Sequence, residues 1–205
     1  VRALWAFRLA PALLALVVLA SCDDLRLLDT VPLDRVGMRY GTIRQLKALH
    51  VSQPEISEIA KVRGSGLSDN DCIALLEISH QRKKPFTAGD AVAGLYQSGV
   101  AAGTILGLAN MDQLGLGAGD LQAIHLAGLP DELVLEVARD RAAGKSTLSG
   151  AALGAMKNLR MDNATLLELV RRGTPEADGA SILALRRRGA ADSEILRRFP
   201  STRPD

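Results

Sequence analysis

The chain has 205 residues, of which 47% are hydrophobic and 23% charged, a balance that excludes an extended disordered polymer. Only 3% are aromatic, so a core must be built from Leu, Ile, Val and Ala. The formal charge of +2 is that of Arg2 and Arg8. Beyond them basic and acidic residues balance, which removes any global electrostatic argument for nucleic acid.

Arg2 and Arg8 introduce an apolar run from Leu9 to Leu19, interrupted by Pro11 and closing on Leu19-Ala20-Ser21-Cys22. A basic start, a short apolar core and small residues form the layout of a secretory signal, and the run is too short to span a bilayer comfortably. Its ending resembles the lipobox of bacterial lipoproteins. The resemblance implies cleavage before Cys22, a diacylglyceryl group on its thiol and a fatty acid such as palmitate on its new amine. Residues 1–21 are then a signal peptide, and the protein is lipid-anchored in the bacterial envelope, facing the periplasm. Asp23 and Asp24, directly after the cysteine, resemble a retention signal, so the inner membrane is expected ahead of the outer. With Cys22 lipidated, Cys72 has no disulfide partner; its apolar helical setting predicts a buried, inert thiol.

Residues 22–40 read as a tether, because Asp23, Asp24, Asp29, Pro32 and Asp34 break a weak apolar pattern. Residues 41–200 then form the folded domain and residues 201–205 a tail. Within the domain the chain repeats. Around His50, Gly99, Gly128, Arg160 and Gly189, the positions seven and four residues before and one, six and ten residues after are all apolar. The first two share a helix face, the reference residue ends that helix, and the later positions form the stripe of a second helix. Glycine at the reference suits a left-handed cap. Gly66 offers a weaker sixth copy, with Ile59 and Val62 before it and Leu67, Cys72 and Leu75 after it. The fold class expected is all-α: tandem short helix-turn-helix repeats, packed as a solenoid-like array or a bundle. Helices this short are marginal alone and must lean on neighbours. The period is similar to that of tetratricopeptide arrays, but the Trp, Tyr and Pro marks of that family are missing.

No catalytic constellation is visible, so an enzyme is not the first expectation. Ala143-Gly144-Lys145-Ser146-Thr147 resembles the end of a phosphate loop, but Arg139 stands where that loop needs glycine, and a helix precedes it instead of a strand. His50, His80 and His125 share no helix face, and no cofactor or metal is expected. Charge is uneven: no Lys or Arg lies between Lys84 and Arg139, while Asp112, Asp120, Asp131, Glu132 and Glu136 do. These five are the candidate protein-contact residues. Arg171-Arg172, Arg186-Arg187-Arg188 and Arg197-Arg198 read as solvated helix ends. The expectation is a membrane-anchored protein-binding or scaffolding module. An envelope enzyme or its accessory and a self-associating structural lipoprotein are the alternatives.

Overall fold

The computed structural model describes residues 28–115 and 118–201. The lipobox, Cys22, Asp23 and Asp24 lie outside the described residues. Twelve α-helices and one 3-10 turn make up the described residues, which contain no strand: α1 Val31–Arg35, α2 Tyr40–Ala48, α3 Gln53–Gly64, α4 Asp69–Gln81, α5 Gly89–Gln97, α6 Ala102–Asn110, α7 Ala118–Leu126, α8 Asp131–Ala142, α9 Gly150–Asn158, α10 Asn163–Arg171, α11 Gly179–Arg187 and α12 Asp192–Arg198.

From α3 onward each odd helix pairs with the even helix that follows, and each helix stacks on the next of its own parity. Two parallel columns result, odd helices in one and even helices in the other. This is a solenoid of helix pairs; a closed bundle would bring its first and last helices together, and α1 packs on α3 while α12 packs on α10 and α11. The core runs between the columns. Val92, Leu95, Leu121, Ile124, Leu153 and Met156 face Ile105, Leu108, Val134, Val137, Leu166 and Leu169, all essentially inaccessible to water. Phe86 is the one buried ring among the described residues, so close aliphatic packing carries the fold.

Each helix from α1 to α11 is followed by one residue at positive φ: Gly37, His50, Gly66, Lys83, Gly99, Asp112, Gly128, Gly144, Arg160, Gly173 and Gly189. Behind most of them a backbone amide returns to the carbonyl five residues earlier, as Val100 does to Leu95 (3.1 Å) and Met161 to Met156 (3.2 Å). This is the Schellman ending, whose last amide belongs to a residue that folds back onto the helix. After the first five odd helices the residue that follows the left-handed one is apolar and buried: Met38, Leu67, Val100, Leu129 and Met161. The apolar position one residue after the reference is therefore the staple that turns the chain from one column to the other.

Two expectations need correction. His50 ends α2 and so lies between pairs, whereas Gly37, Gly66, Gly99, Gly128, Arg160 and Gly189 lie within them. The misassignment arises because an even helix, its turn and the next odd helix repeat the same apolar spacing. Gly66 is a full member of the series. The folded region also begins before residue 41: α1 lies in the expected tether, with Leu33 fully buried and Met38 5% exposed. Pro32 did not break this helix; it occupies the first turn, where its missing amide costs nothing.

Candidate functional site

The polar chemistry of the fold gathers where one helix pair meets the next. The clearest unit is built on Asp69, the first residue of α4, which is 4% exposed. Its Oδ2 accepts from the Arg39 amide (3.0 Å), the Arg39 Nε (2.9 Å) and the Thr42 hydroxyl (3.0 Å), and its Oδ1 from the Arg63 Nε (2.7 Å). Arg39 and Thr42 stand at the start of α2, so one carboxylate satisfies an otherwise orphaned helix-start amide in the neighbouring pair. Burial alone would raise the Asp69 carboxyl. Its bonds to Arg39, Thr42 and Arg63 outweigh burial and hold it at about 2.

The same unit recurs at Asp131, which opens α8. It accepts from the Ala101 amide (2.9 Å) and the Thr104 hydroxyl (3.0 Å) at the start of α6, and its Oδ1 lies 2.9 Å from His125 Nδ1. Burial opposes these bonds, which nevertheless hold the Asp131 carboxyl below its ordinary range. A third copy opens α12: Asp192 accepts from the Asp162 amide (3.0 Å), and its Oδ1 lies 2.8 Å from Arg186. The sets Asp69/Asp131/Asp192, Arg63/His125/Arg186 and Gly66/Gly128/Gly189 each recur after 62 and then 61 residues. The repeating body is thus four helices, two pairs, present three times.

The intervening junctions need no such carboxylate. At α4 the cap is Ser68, which forms a reciprocal box with Asp71, and at α8 it is Pro130, which has no amide to satisfy. The odd column has its own version. Glu58 accepts from the Gly89 amide (2.7 Å) and Asp120 from the Gly150 amide (2.6 Å). Gly89 and Gly150 are required here, because a Cβ on either would collide with the backbone of Glu58 or Asp120.

All five acidic contact candidates are engaged within the fold. Asp112 pairs with Lys84 (2.5 Å) and lies 3.7 Å from Arg82; the Lys84 bond holds its carboxyl down. Asp120 also meets Arg141, Glu132 meets Arg171, and Glu136 pairs with Arg139 (2.7 Å) and lies 3.8 Å from Arg171. A partner engaging these carboxylates would compete with bonds that join one helix pair to another. They do not converge on one cleft.

Several of the basic residues are structural rather than solvated. Arg186 donates to the carbonyls of Leu159 (3.0 Å), Arg160 (2.6 Å) and Ala190 (3.0 Å). Arg172 donates to Leu196 (2.6 Å) and Phe199 (3.4 Å) carbonyls. Both side chains fold back over helix ends and bond carbonyls left open there. A half-buried pair sits at the α3–α4 hairpin. Glu55 accepts from the Ser52 amide (2.9 Å) and hydroxyl (2.7 Å), the Phe86 amide (3.0 Å) and His80 Nε2 (2.8 Å). Burial would raise its carboxyl, but those donors bring it to about 2. His80 is linked to Glu55 and not to the Ser52 hydroxyl, so the three groups do not form a nucleophilic relay.

Cys72 is fully buried, and burial pushes its thiol up to about 12. Gly144 follows the C-terminus of α8 at φ +68, the electrostatically wrong end of a helix for a phosphate. Clefts of about 230 Å³ beside Arg82, Lys84 and Phe86, and of about 300 Å³ beside Arg39 and Gln45, open on the helix ends. No group of His, Cys, Asp and Glu among the described residues is placed to hold a metal ion. No helix of the described residues is long and apolar enough to cross a membrane. Comparison of the chain with protein families, characterised proteins and solved structures finds no match.

Proposed function

We propose that this chain is a lipid-anchored helical-repeat scaffold, held at the periplasmic face of a bacterial membrane through Cys22 and presenting its solenoid to a protein partner. The observation that carries the reading is the two-column stack. Its charged groups at the pair-to-pair junctions are spent on joining helices, leaving the outer flanks of twelve short helices as one extended surface. Surfaces of this kind serve as binding platforms, because stability is local to each repeat and the flanks vary without cost to it. The sequence Leu19-Ala20-Ser21-Cys22 supports the anchor. Two or three acyl chains hold a protein stably, at about 0.8 kcal/mol per buried CH₂.

Growth of expressing cells with an alkyne-bearing palmitate tests the anchor. Label is expected on the wild-type protein and absent from Cys22→Ala, with spheroplast proteolysis removing the solenoid from outside. Unlabelled wild-type protein, or a solenoid protected in spheroplasts, would remove the proposal. Density-gradient separation tests the Asp23-Asp24 expectation: sedimentation with the outer membrane would overturn inner-membrane retention. For the partner, photo-crosslinkers on exposed positions of α5, α7 and α9 should yield one recurrent adduct. Adducts only between copies of this chain would replace partner binding by self-association.

A further inference from the structure

The three-fold body allows each position to be compared with two structural equivalents, and one edge of the last copy carries more cations than its counterparts. On this edge odd helices end and even helices begin. In the last copy it comprises residues 157–163 and 186–192, with Lys157, Arg160, Arg186, Arg187 and Arg188 against Asp162 and Asp192. The corresponding residues 96–102 and 125–131 of the middle copy contain no Lys or Arg, and residues 34–40 and 63–69 of the first contain Arg35, Arg39 and Arg63, of which Arg39 and Arg63 are paired with Asp69. Arg160 stands at φ +61, where its equivalents are Gly37 at φ +72 and Gly99 at φ +100. A side chain is disfavoured in that conformation, so the last copy carries an exposed cation where both of its equivalents carry glycine. Arg186 already bonds the open carbonyls of Leu159, Arg160 and Ala190 and lies against Asp192. The helix end is thereby satisfied, and Arg187 and Arg188, both exposed, are surplus to it. The Arg186 bonds also fix the end of α11 against the end of α9, which places Arg160, Arg187 and Arg188 on one edge. Among the described residues no ion pair of the fold uses these three.

We infer that this arginine edge is a second membrane contact, seated on anionic phospholipid headgroups. The inference rests on the anchored reading above, which puts an anionic surface within reach. Five steps of stacking from α1 to α11, at about 8–10 Å each, span roughly 40–50 Å. The nine residues from Cys22 to Val31 extend at most about 30 Å. A solenoid lying along the bilayer therefore brings its far end to the headgroups while its near end stays tethered. Clustered guanidinium groups suit phosphate oxygens through paired N–H bonds. The edge fixes the orientation of the scaffold and so decides which flank faces a partner.

The test uses the lipidated protein in vesicles of phosphatidylcholine alone or mixed equally with phosphatidylglycerol. A fluorophore on Ser193→Cys, exposed at the start of α12, reports contact through quenching by spin-labelled lipid. Buried Cys72 stays unlabelled, and mass spectrometry of the Cys22 peptide reports the anchor separately. Quenching is expected in anionic vesicles, with loss in high salt. Each arginine removed should lower the docked-to-undocked ratio about five-fold, so Arg160→Gly with Arg187→Gln and Arg188→Gln should lower it roughly a hundred-fold. Arg160→Gly keeps the residue the other copies use, so the fold is retained; circular dichroism confirms this. Equal quenching in neutral and anionic vesicles, or quenching unchanged in the triple variant, overturns the arginine edge while leaving the anchor intact. If Cys22 carries no lipid, vesicle co-sedimentation reads the edge alone: binding to anionic vesicles that the triple variant loses supports it, and no binding overturns it.

Discussion

Replacing the three junction aspartates by alanine, one at a time, should give losses in the order Asp69, Asp131, Asp192, although the three occupy equivalent places. Asp69 is the most buried and accepts four bonds. Its loss strands the Arg39 amide and the Thr42 hydroxyl, at about 1 kcal/mol each, and deprives the partly buried Arg63 of its partner, at about 1.5 kcal/mol. The Arg39 side chain is 72% exposed and adds little. The sum is about 3–4 kcal/mol. Asp131 loses two neutral donors and a histidine, about 2–3 kcal/mol. Asp192 has the Asp162 amide and Arg186. Because Arg186 keeps three carbonyls after the change, the expected loss is about 1–2 kcal/mol.

Stacked repeats open locally, so a single global unfolding energy would blur these differences. Native-state hydrogen exchange resolves them. In Asp69→Ala the amides at the start of α2 should lose most protection, with α8 and α10 unchanged. In Asp131→Ala the loss should move to the start of α6. Equal losses in all three variants, or protection falling uniformly along the solenoid, would refute the claim that each carboxylate acts as a local tie between adjacent pairs.

Acid should loosen the N-terminal third first. The Glu55 and Asp69 carboxyls both sit near 2 when folded, below their unfolded range, so their stabilisation is complete above about pH 4.5 and is lost as pH falls toward 2. Each contributes about 1–2 kcal/mol after allowance for water at the solenoid edge, and exchange at α2–α4 between pH 5 and 2 should show it. Gly150→Ala should destabilise by about 1–3 kcal/mol in urea unfolding, since its Cβ meets the Asp120 backbone. Gly94→Ala, with open space around the same atom, should stabilise by about 0.5–1 kcal/mol. Cys72 should resist alkylation until unfolding exposes it, because burial holds its thiol at about 12; rapid labelling of native protein would contradict that.

The apolar register was readable because it is local. Positions seven and four residues before a turn, and six and ten after it, meet within one helix pair, and any reading of helical period finds them. Gly66, Gly99, Gly128 and Gly189 marked the turns for the same reason. The junction chemistry was not readable, because its partners lie about 30 residues apart. Asp131 opens α8, where the dipole favours an acid, but its bonds to Ala101 and Thr104 appear only once α8 stacks on α6. Glu132 and Glu136 were grouped with it by charge and sequence proximity. The fold sets Glu132 and Glu136, one helical turn apart, beside Arg171 and points Asp131 toward the start of α6. The early start at α1 was missed because five residues are too few to show a period, and Leu33 is ordered by what packs on it.

The longer period explains an irregularity that a two-helix repeat leaves open. Successive reference residues Gly37, Gly66, Gly99, Gly128, Arg160 and Gly189 are separated by 29, 33, 29, 32 and 29 residues. A drifting repeat would scatter; this one alternates, because two kinds of pair alternate. One kind begins its even helix with an amide that the next pair must satisfy, at Arg39, Ala101 and Asp162. The other begins with Ser68 or Pro130, which ask nothing of a neighbour. A carboxylate at Asp69, Asp131 or Asp192 therefore recurs once per four helices, and so does the nitrogen-bearing side chain beside it. In the middle copy that group is His125, whose Nε2 lies 3.0 Å from the position of a Cβ on Gly99. Arg63 and Arg186, at the same place, reach past the carboxylate to the carbonyls of Gly37 (3.5 Å) and Arg160 (2.6 Å). The middle junction lacks that carbonyl bond and is tied instead by Gln122 of α7, which donates to the Gly94 carbonyl (3.5 Å) and meets the Ser98 hydroxyl at the end of α5.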